Sequence, residues 1–129
     1  MQSTMPTDQG RIDRALRHGQ TIDITTTGRR TGLPRRIETV FHNIDGRVIL
    51  SGMPGPRSWY ANLLANSAFT FHLKGPVQAD LPAHARAITE PVERRRVMEA
   101  VTRNWNASDR LETFLAHSPL VEVTFPEAN

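Results

Sequence analysis

The chain has 129 residues, 38% hydrophobic and 22% charged, enough for one domain with a lean core. It contains no cysteine, which excludes disulfides, thiolate metal sites and a cysteine nucleophile and leaves packing alone to hold the fold. The formal charge is only +3, yet the sixteen basic residues comprise Lys74 and fifteen arginines, and the sequence pI is about 10.5.

Residues 1–7 (MQSTMPT) read as a loose tail with no apolar signal core. Residues 8–18 offer Ile12, Ala15 and Leu16 as a thin helical stripe, so a short peripheral helix is expected there. Residues 1–20 are thus read as tail and helix, and residues 21–129 as the folded domain. The longest apolar runs, 48–50 and 63–65, fall far below the roughly 20 residues of a spanning helix. The expectation is a cytoplasmic protein without an integral membrane segment.

In residues 21–27 (TIDITTT), Ile22 and Ile24 alternate with polar neighbours among β-branched residues, which predicts a strand. It runs straight into GRRTGLPRR, residues 28–36. A second strand follows over 37–44, then Asp45-Gly46, a dipeptide preferred in two-residue hairpins, and a returning strand over 47–51. Residues 52–57 (GMPGPR) cannot be regular, and Ser58 is expected to cap a helix reaching about Asn66, with Trp59/Leu63 and Tyr60/Leu64 at i, i+4.

Phe69, Phe71 and Leu73 alternate as a fourth strand. Residues 77–88 form a fifth, in which Pro82 marks a bulge or an edge. Thr89-Glu90-Pro91 opens a helix with Val92, Val97, Met98 and Val101 as its buried stripe. Ser108 is placed as the cap of a short helix containing Leu111, Phe114 and Leu115, and residues 120–125 alternate as a last strand. About six antiparallel strands with peripheral helices favour a closed or nearly closed barrel, which leaves few sheet edges open.

The nine residues of the turn hold Arg29, Arg30, Arg35 and Arg36, the Thr31 hydroxyl and no acid. Such a turn is either a solvated loop or a clamp for phosphate or carboxylates. Nucleic acid would need interleaved aromatic residues, and none lies in or beside the turn. A second anion-attracting element is the start of the helix at Ser58, where backbone N–H groups and the helix dipole are free to meet a ligand. Trp59 is either a core anchor or a face for a ligand ring. Glu38 stands just beyond the turn, where it lowers the attraction for anions or orients Arg36. Five scattered histidines lack metal-site spacing, and no GxSxG motif supports hydrolysis. Arg94, Arg95 and Arg96 read as a solvated helix face.

TTTGRRTGLPR, the Asp-Gly hairpin and SWYANLLANSAFTFHLKG, spanning roughly residues 22–77, resemble the deazaflavin-dependent nitroreductase family. The resemblance implies a split β-barrel of the FMN-binding, pyridoxamine-phosphate-oxidase-like kind. It also implies the deazaflavin coenzyme F420, whose tail bears a phosphate and glutamates. On the matching positions Arg29, Arg30, Thr31 and Arg35, with Pro34 shaping the turn, would take the phosphate and tail carboxylates. Trp59 and Asn62 would complete the phosphate pocket, and Ser51 and Gly52 would lie along the ring.

The activity so implied is hydride transfer from reduced F420 to a small electron-poor acceptor such as a quinone, an enone or a nitro compound, with no side chain named as catalytic. Two alternatives stay open, an FMN-binding reductase and a non-catalytic binder of an anionic lipid. The second is compatible with peripheral attachment to a membrane. Apolar strand faces can close on a barrel or on a partner subunit, so a homodimer is also open.

Overall fold

The computed structural model describes residues 4–126, with side chains from Gln9 onward. Six strands follow the alternation read above: β1 (Gln20–Thr27), β2 (Pro34–Ile44), β3 (Arg47–Ser51), β4 (Ala68–Lys74), β5 (Gln78–Ala87) and β6 (Leu120–Thr124). They close into an antiparallel barrel in the order β1-β2-β3-β6-β5-β4. Helix α1 (Thr4–Ala15) precedes the barrel, α2 (Ser58–Ala65) joins β3 to β4, and α3 (Pro91–Asn104) and α4 (Leu111–His117) lie between β5 and β6. α1 begins at Thr4, so the backbone of residues 4–7, expected in a tail, is helical. No helix among the described residues is long and apolar enough to cross a membrane.

Period-two alternation sends Ile22, Ile24, Phe41, Leu50, Phe71 and Val121 into the barrel, where all are buried. A second cluster forms outside it, where Ile49 and Leu120 meet Val97, Met98 and Val101 of α3 and Phe114 of α4. The hairpin between β2 and β3 turns at Asp45 and Gly46 with φ of 53° and 84°. Two positive φ values define the turn whose twist matches the strands.

Register makes the barrel uneven. β2 pairs with β1 from Pro34 to Phe41, but with β3 only from Phe41 to Ile44. Residues 34–40 therefore project past the closed part, and their inward face has no strand opposite.

Several local expectations change. Arg57, not Ser58, is the N-cap of α2, and no side chain caps that helix. For Pro82 the edge holds rather than the bulge: it pairs in unbroken register with Thr70, while β6 reaches β5 only from His84, so Pro82 lies on an open edge. Val92 is 65% exposed and leaves the buried stripe, because Glu90 accepts from the Val92 and Glu93 N–H groups and starts α3 with its first turn facing solvent. Ala107, not Ser108, precedes the 3₁₀ turn that leads into α4. Arg94 is not on a solvated face, since its guanidinium donates to the carbonyls of Leu115, Ile88 and Ser118.

α3 is fixed to the barrel by charge at its start and by aromatic packing at its end. Arg47 and Arg86 each bond both Glu93 and Glu122. Led by its bonds to Arg86, these hold the Glu93 carboxyl down at about 2 from an ordinary 4.5. At the far end His42 of β2 packs edge-on against Trp105 at 4.7 Å between ring centroids. Its Nδ1 accepts from Asn104 at 3.2 Å, and its buried Nε2 has no partner. Burial pushes the His42 pKa down to about 4 from 6.5.

Glu93 has a folded pKa below its unfolded one, so its contribution is present above pH 4.5 and is lost as pH falls through about 2. Glu93→Gln is expected to cost about 1 kcal/mol at neutral pH, and thermal melts of variant and parent should converge near the bottom of that window. His42 is favoured neutral, so stability is lost as pH falls from 6.5 toward 4, by about 2 kcal/mol at pH 5. His42→Phe removes both the buried unpaired N–H and this titration. It should raise the melting temperature at pH 8 and raise it further at pH 5, measured calorimetrically.

Candidate functional site

The projecting part of β2 creates a concavity beside the arginine turn. Arg35 and Ile37 share the inward face with Phe41, and Thr26 shares that of β1 with Ile22 and Ile24. α2 stands opposite, and together they enclose a pocket of about 400 Å³ lined by Thr26, Gly28, Arg29, Arg30, Thr31, Arg35, Ile37, Ser58, Trp59 and Asn62.

The turn itself is tightly wired. Gly28 N donates to Leu33 O at 2.8 Å and Gly32 N to Gly28 O at 2.8 Å, while Thr31 Oγ1 accepts from Leu33 N at 3.1 Å. A Cβ at Gly28 would stand 2.7 Å from that Thr31 oxygen, and Gly32 has φ of +72°, so both positions favour glycine.

Asn62 ties the turn to the helix. Its Oδ1 accepts from Arg29 N at 3.1 Å and Arg29 Nη1 at 3.0 Å, and its Nδ2 donates to Thr26 Oγ1 at 3.1 Å. The amide is buried and its geometry is spent inside the protein, so Asn62 positions Arg29. Trp59 is both core and wall: it is buried in the barrel cluster and also lines the pocket.

Of the four arginines of the turn, Arg29 and Arg30 lie in the loop, while Arg35 and Arg36 lie on β2 and are divided by strand parity. Arg36 points to the outer face and pairs with Asp23 at 3.0 Å. Lys74 bridges Asp23 and Glu38 on the same face. Lys74, and then Arg36, hold the Asp23 carboxyl below the usual carboxylate range. Glu38 is thus bound to Lys74 and neither orients Arg36 nor faces the pocket. Arg30 and Arg35 make no ion pair among the described residues. Beside them the first turn of α2, whose Ser58 and Trp59 line the pocket, lacks a side-chain cap, which leaves its first N–H groups without a side-chain acceptor.

The expected site residues are therefore brought together in part. Arg29, Arg30, Thr31, Arg35, Trp59 and Asn62 share the pocket. Pro34 lines a groove on the other face of the sheet with Thr25, Thr27 and Thr70. Ser51 is buried, with its hydroxyl donating to Pro119 O at 2.7 Å. Gly52 lies beside Arg57 and Pro119, where a Cβ would make ordinary contacts from 3.4 Å. Ser58, expected at the helix start, lines the pocket as well, and Thr26 and Ile37 line it without having been singled out. Ile37 was within reach, two residues beyond Arg35 on an alternating strand.

The cradle of unpaired guanidiniums and free N–H groups fits a phosphate with further acidic groups attached. Among solved structures, a conserved hypothetical protein from Mycobacterium tuberculosis superposes with a TM-score of 0.73 at 17% identity, over 92% of this chain and 81% of that one. An F420-H2 dependent reductase superposes at 0.62 and 23%, over 81% and 93%. HutZ, a heme storage protein from Vibrio cholerae, superposes at 0.66 and 12%, over 98% and 93%. These likenesses establish the split-barrel fold. No curated protein sequence matches the chain. The family model for F420H(2)-dependent quinone reductase matches residues 2–114. The chain therefore belongs to the F420H2-dependent quinone reductase family, and it is an oxidoreductase with F420 as its cofactor.

Proposed function

We propose that the protein transfers a hydride from reduced F420 to a small electron-poor acceptor, a quinone, enone or nitro compound, with the cofactor tail held by Arg29, Arg30 and Arg35. The observation that carries this reading is the pair of guanidiniums, Arg30 and Arg35, left without acid partners on one pocket with an uncapped helix start. When bound, the deazaflavin supplies the hydride from its ring carbon. The chain's residues bind and orient.

Arg30 and Arg35 neutralise phosphate and tail carboxylates. The α2 N–H groups add fixed donors that need no reorganisation. Asn62 holds Arg29 in place, and Trp59 and Ile37 form the dry part of the wall. A tail with several negative charges balances three arginines better than a single phosphate does, which favours F420 over FMN.

Fluorescence titration with F420 and with FMN tests the reading. Replacing both Arg30 and Arg35 by Ala should weaken F420 binding by several kcal/mol, given about 1.5 to 3 for each charge-assisted bond. Unchanged affinity, or equal affinity for FMN, would refute the clamp. The positioning role of Asn62 is tested by a double-mutant cycle. Asn62→Leu and Arg29→Ala should each weaken F420 binding, and the double variant should fall short of their sum by about 1 kcal/mol. Additive losses would mean that Asn62 acts on its own.

A further inference from the structure

A second concavity lies on the opposite side of α2. It measures about 500 Å³ and runs between α2 and the connection from α4 to β6. The helix divides its faces by period: Ser58, Trp59 and Asn62 look into the arginine pocket, whereas Arg57, Tyr60, Ala61 and Leu64 line the groove.

The groove is apolar with a cationic floor. Tyr60, Leu64, Leu115 and Pro119 form its walls, and Leu64 is 60% exposed. Arg94 lies in the floor, fixed by three carbonyls at 3.0, 3.1 and 2.6 Å. A guanidinium carries five N–H bonds, so two remain, the number a carboxylate accepts in a forked pair. Arg94 has no ion-pair partner among the described residues, and no acid lines the groove. At its wall Ser118 has a buried hydroxyl without a hydrogen-bond partner.

A half-buried cation with no anion and an exposed leucine each carry a cost that a single occupant would relieve. We propose that this groove is a second ligand site, taking a flat, apolar molecule of about two rings that bears one carboxylate. The apolar body lies against Tyr60, Leu64 and Leu115, and the carboxylate faces Arg94. With apolar walls of Tyr60, Leu64, Leu115 and Pro119, the groove suits one carboxylate rather than a polyanionic tail.

The probe is 2-naphthoate, titrated into the isotopically labelled full chain and followed by amide chemical shifts. Saturable shifts are expected at Leu64, Ala116, His117 and Ser118. The neutral 2-naphthylmethanol should bind about tenfold more weakly, the difference one charge-assisted pair makes. Arg94 also braces the fold, so the decisive variant is Leu64→Glu, at an exposed position. It should abolish the naphthoate shifts while leaving the F420 affinity of the arginine pocket unchanged. Non-saturable shifts, shifts centred on residues 28–36, equal affinity for the alcohol, or an unaffected Leu64→Glu variant would each overturn the assignment. The naphthoate shifts involve no cofactor, so their outcome is independent of the hydride-transfer reading.

Discussion

The arrangement of the molecule depends on the mismatch in length between the two partners of β2. Its neighbour β1 follows it through eight residues, whereas β3 follows it through four. Where both partners are present, inward side chains such as Phe41 are sealed in the barrel. Beyond that point the same inward face continues with Thr39, Ile37 and Arg35, and no strand closes over it. A barrel interior has become a pocket wall without any change in strand geometry, only through loss of a partner. The arginine turn sits at the open end because β1 and β2 must be joined there.

Helix α2 covers that opening, and its sequence serves several demands within eight residues. Trp59 and Leu63 anchor it in the barrel core. Asn62, one turn on from Ser58, is close enough to reach both Thr26 and Arg29. The absence of a side-chain cap at Arg57 would cost an isolated helix stability, and here it leaves the first N–H groups free for a ligand. Arg57 is occupied elsewhere, donating to Met53 O and Pro56 O and bracing the loop before the helix. The loop is also tied to the end of α4 by Gly55 N donating to His117 O at 2.9 Å. The start of α2 is thus held from both sides before any ligand arrives, which lowers the entropic cost of binding.

Much of this was legible in the sequence, for reasons that can be stated. Alternation at Ile22/Ile24 and Phe69/Phe71/Leu73, and the Asp45-Gly46 dipeptide, are local signals whose physics is complete within a few residues, and each produced the expected element. Glu90-Pro91 likewise opened α3 with a side-chain cap. What was not legible depended on partners distant in the chain. Ser51 looked available at a strand end, but Pro119 accepts its hydroxyl across 68 positions. Arg94 looked like its two neighbours, yet only its position on α3 reaches the carbonyls of Ile88, Leu115 and Ser118. Pro34 was read with its motif, although parity turns it to the other face of the sheet. With β2 read as starting at Ile37 rather than Pro34, Arg35 and Arg36 seemed to share one turn. Three earlier residues of strand put them on opposite faces.

That parity also resolves the electrostatics of an arginine-rich chain. Among the described residues, every carboxylate engaged by an arginine lies away from the clamp: Asp23 holds Arg36 on the outer sheet face, Glu93 and Glu122 hold Arg47 and Arg86 at the start of α3, and Glu112 holds Arg95. Had Asp23 stood one residue earlier or later on β1, its side chain would have entered the barrel side, within reach of the Arg35 face. The anionic ligand would then compete with an internal carboxylate. A strand's two faces thus separate charges that the sequence crowds together: Arg36 is compensated on the outer face, while Arg35 on the inner face and Arg30 in the turn stay free of acids and able to attract a ligand.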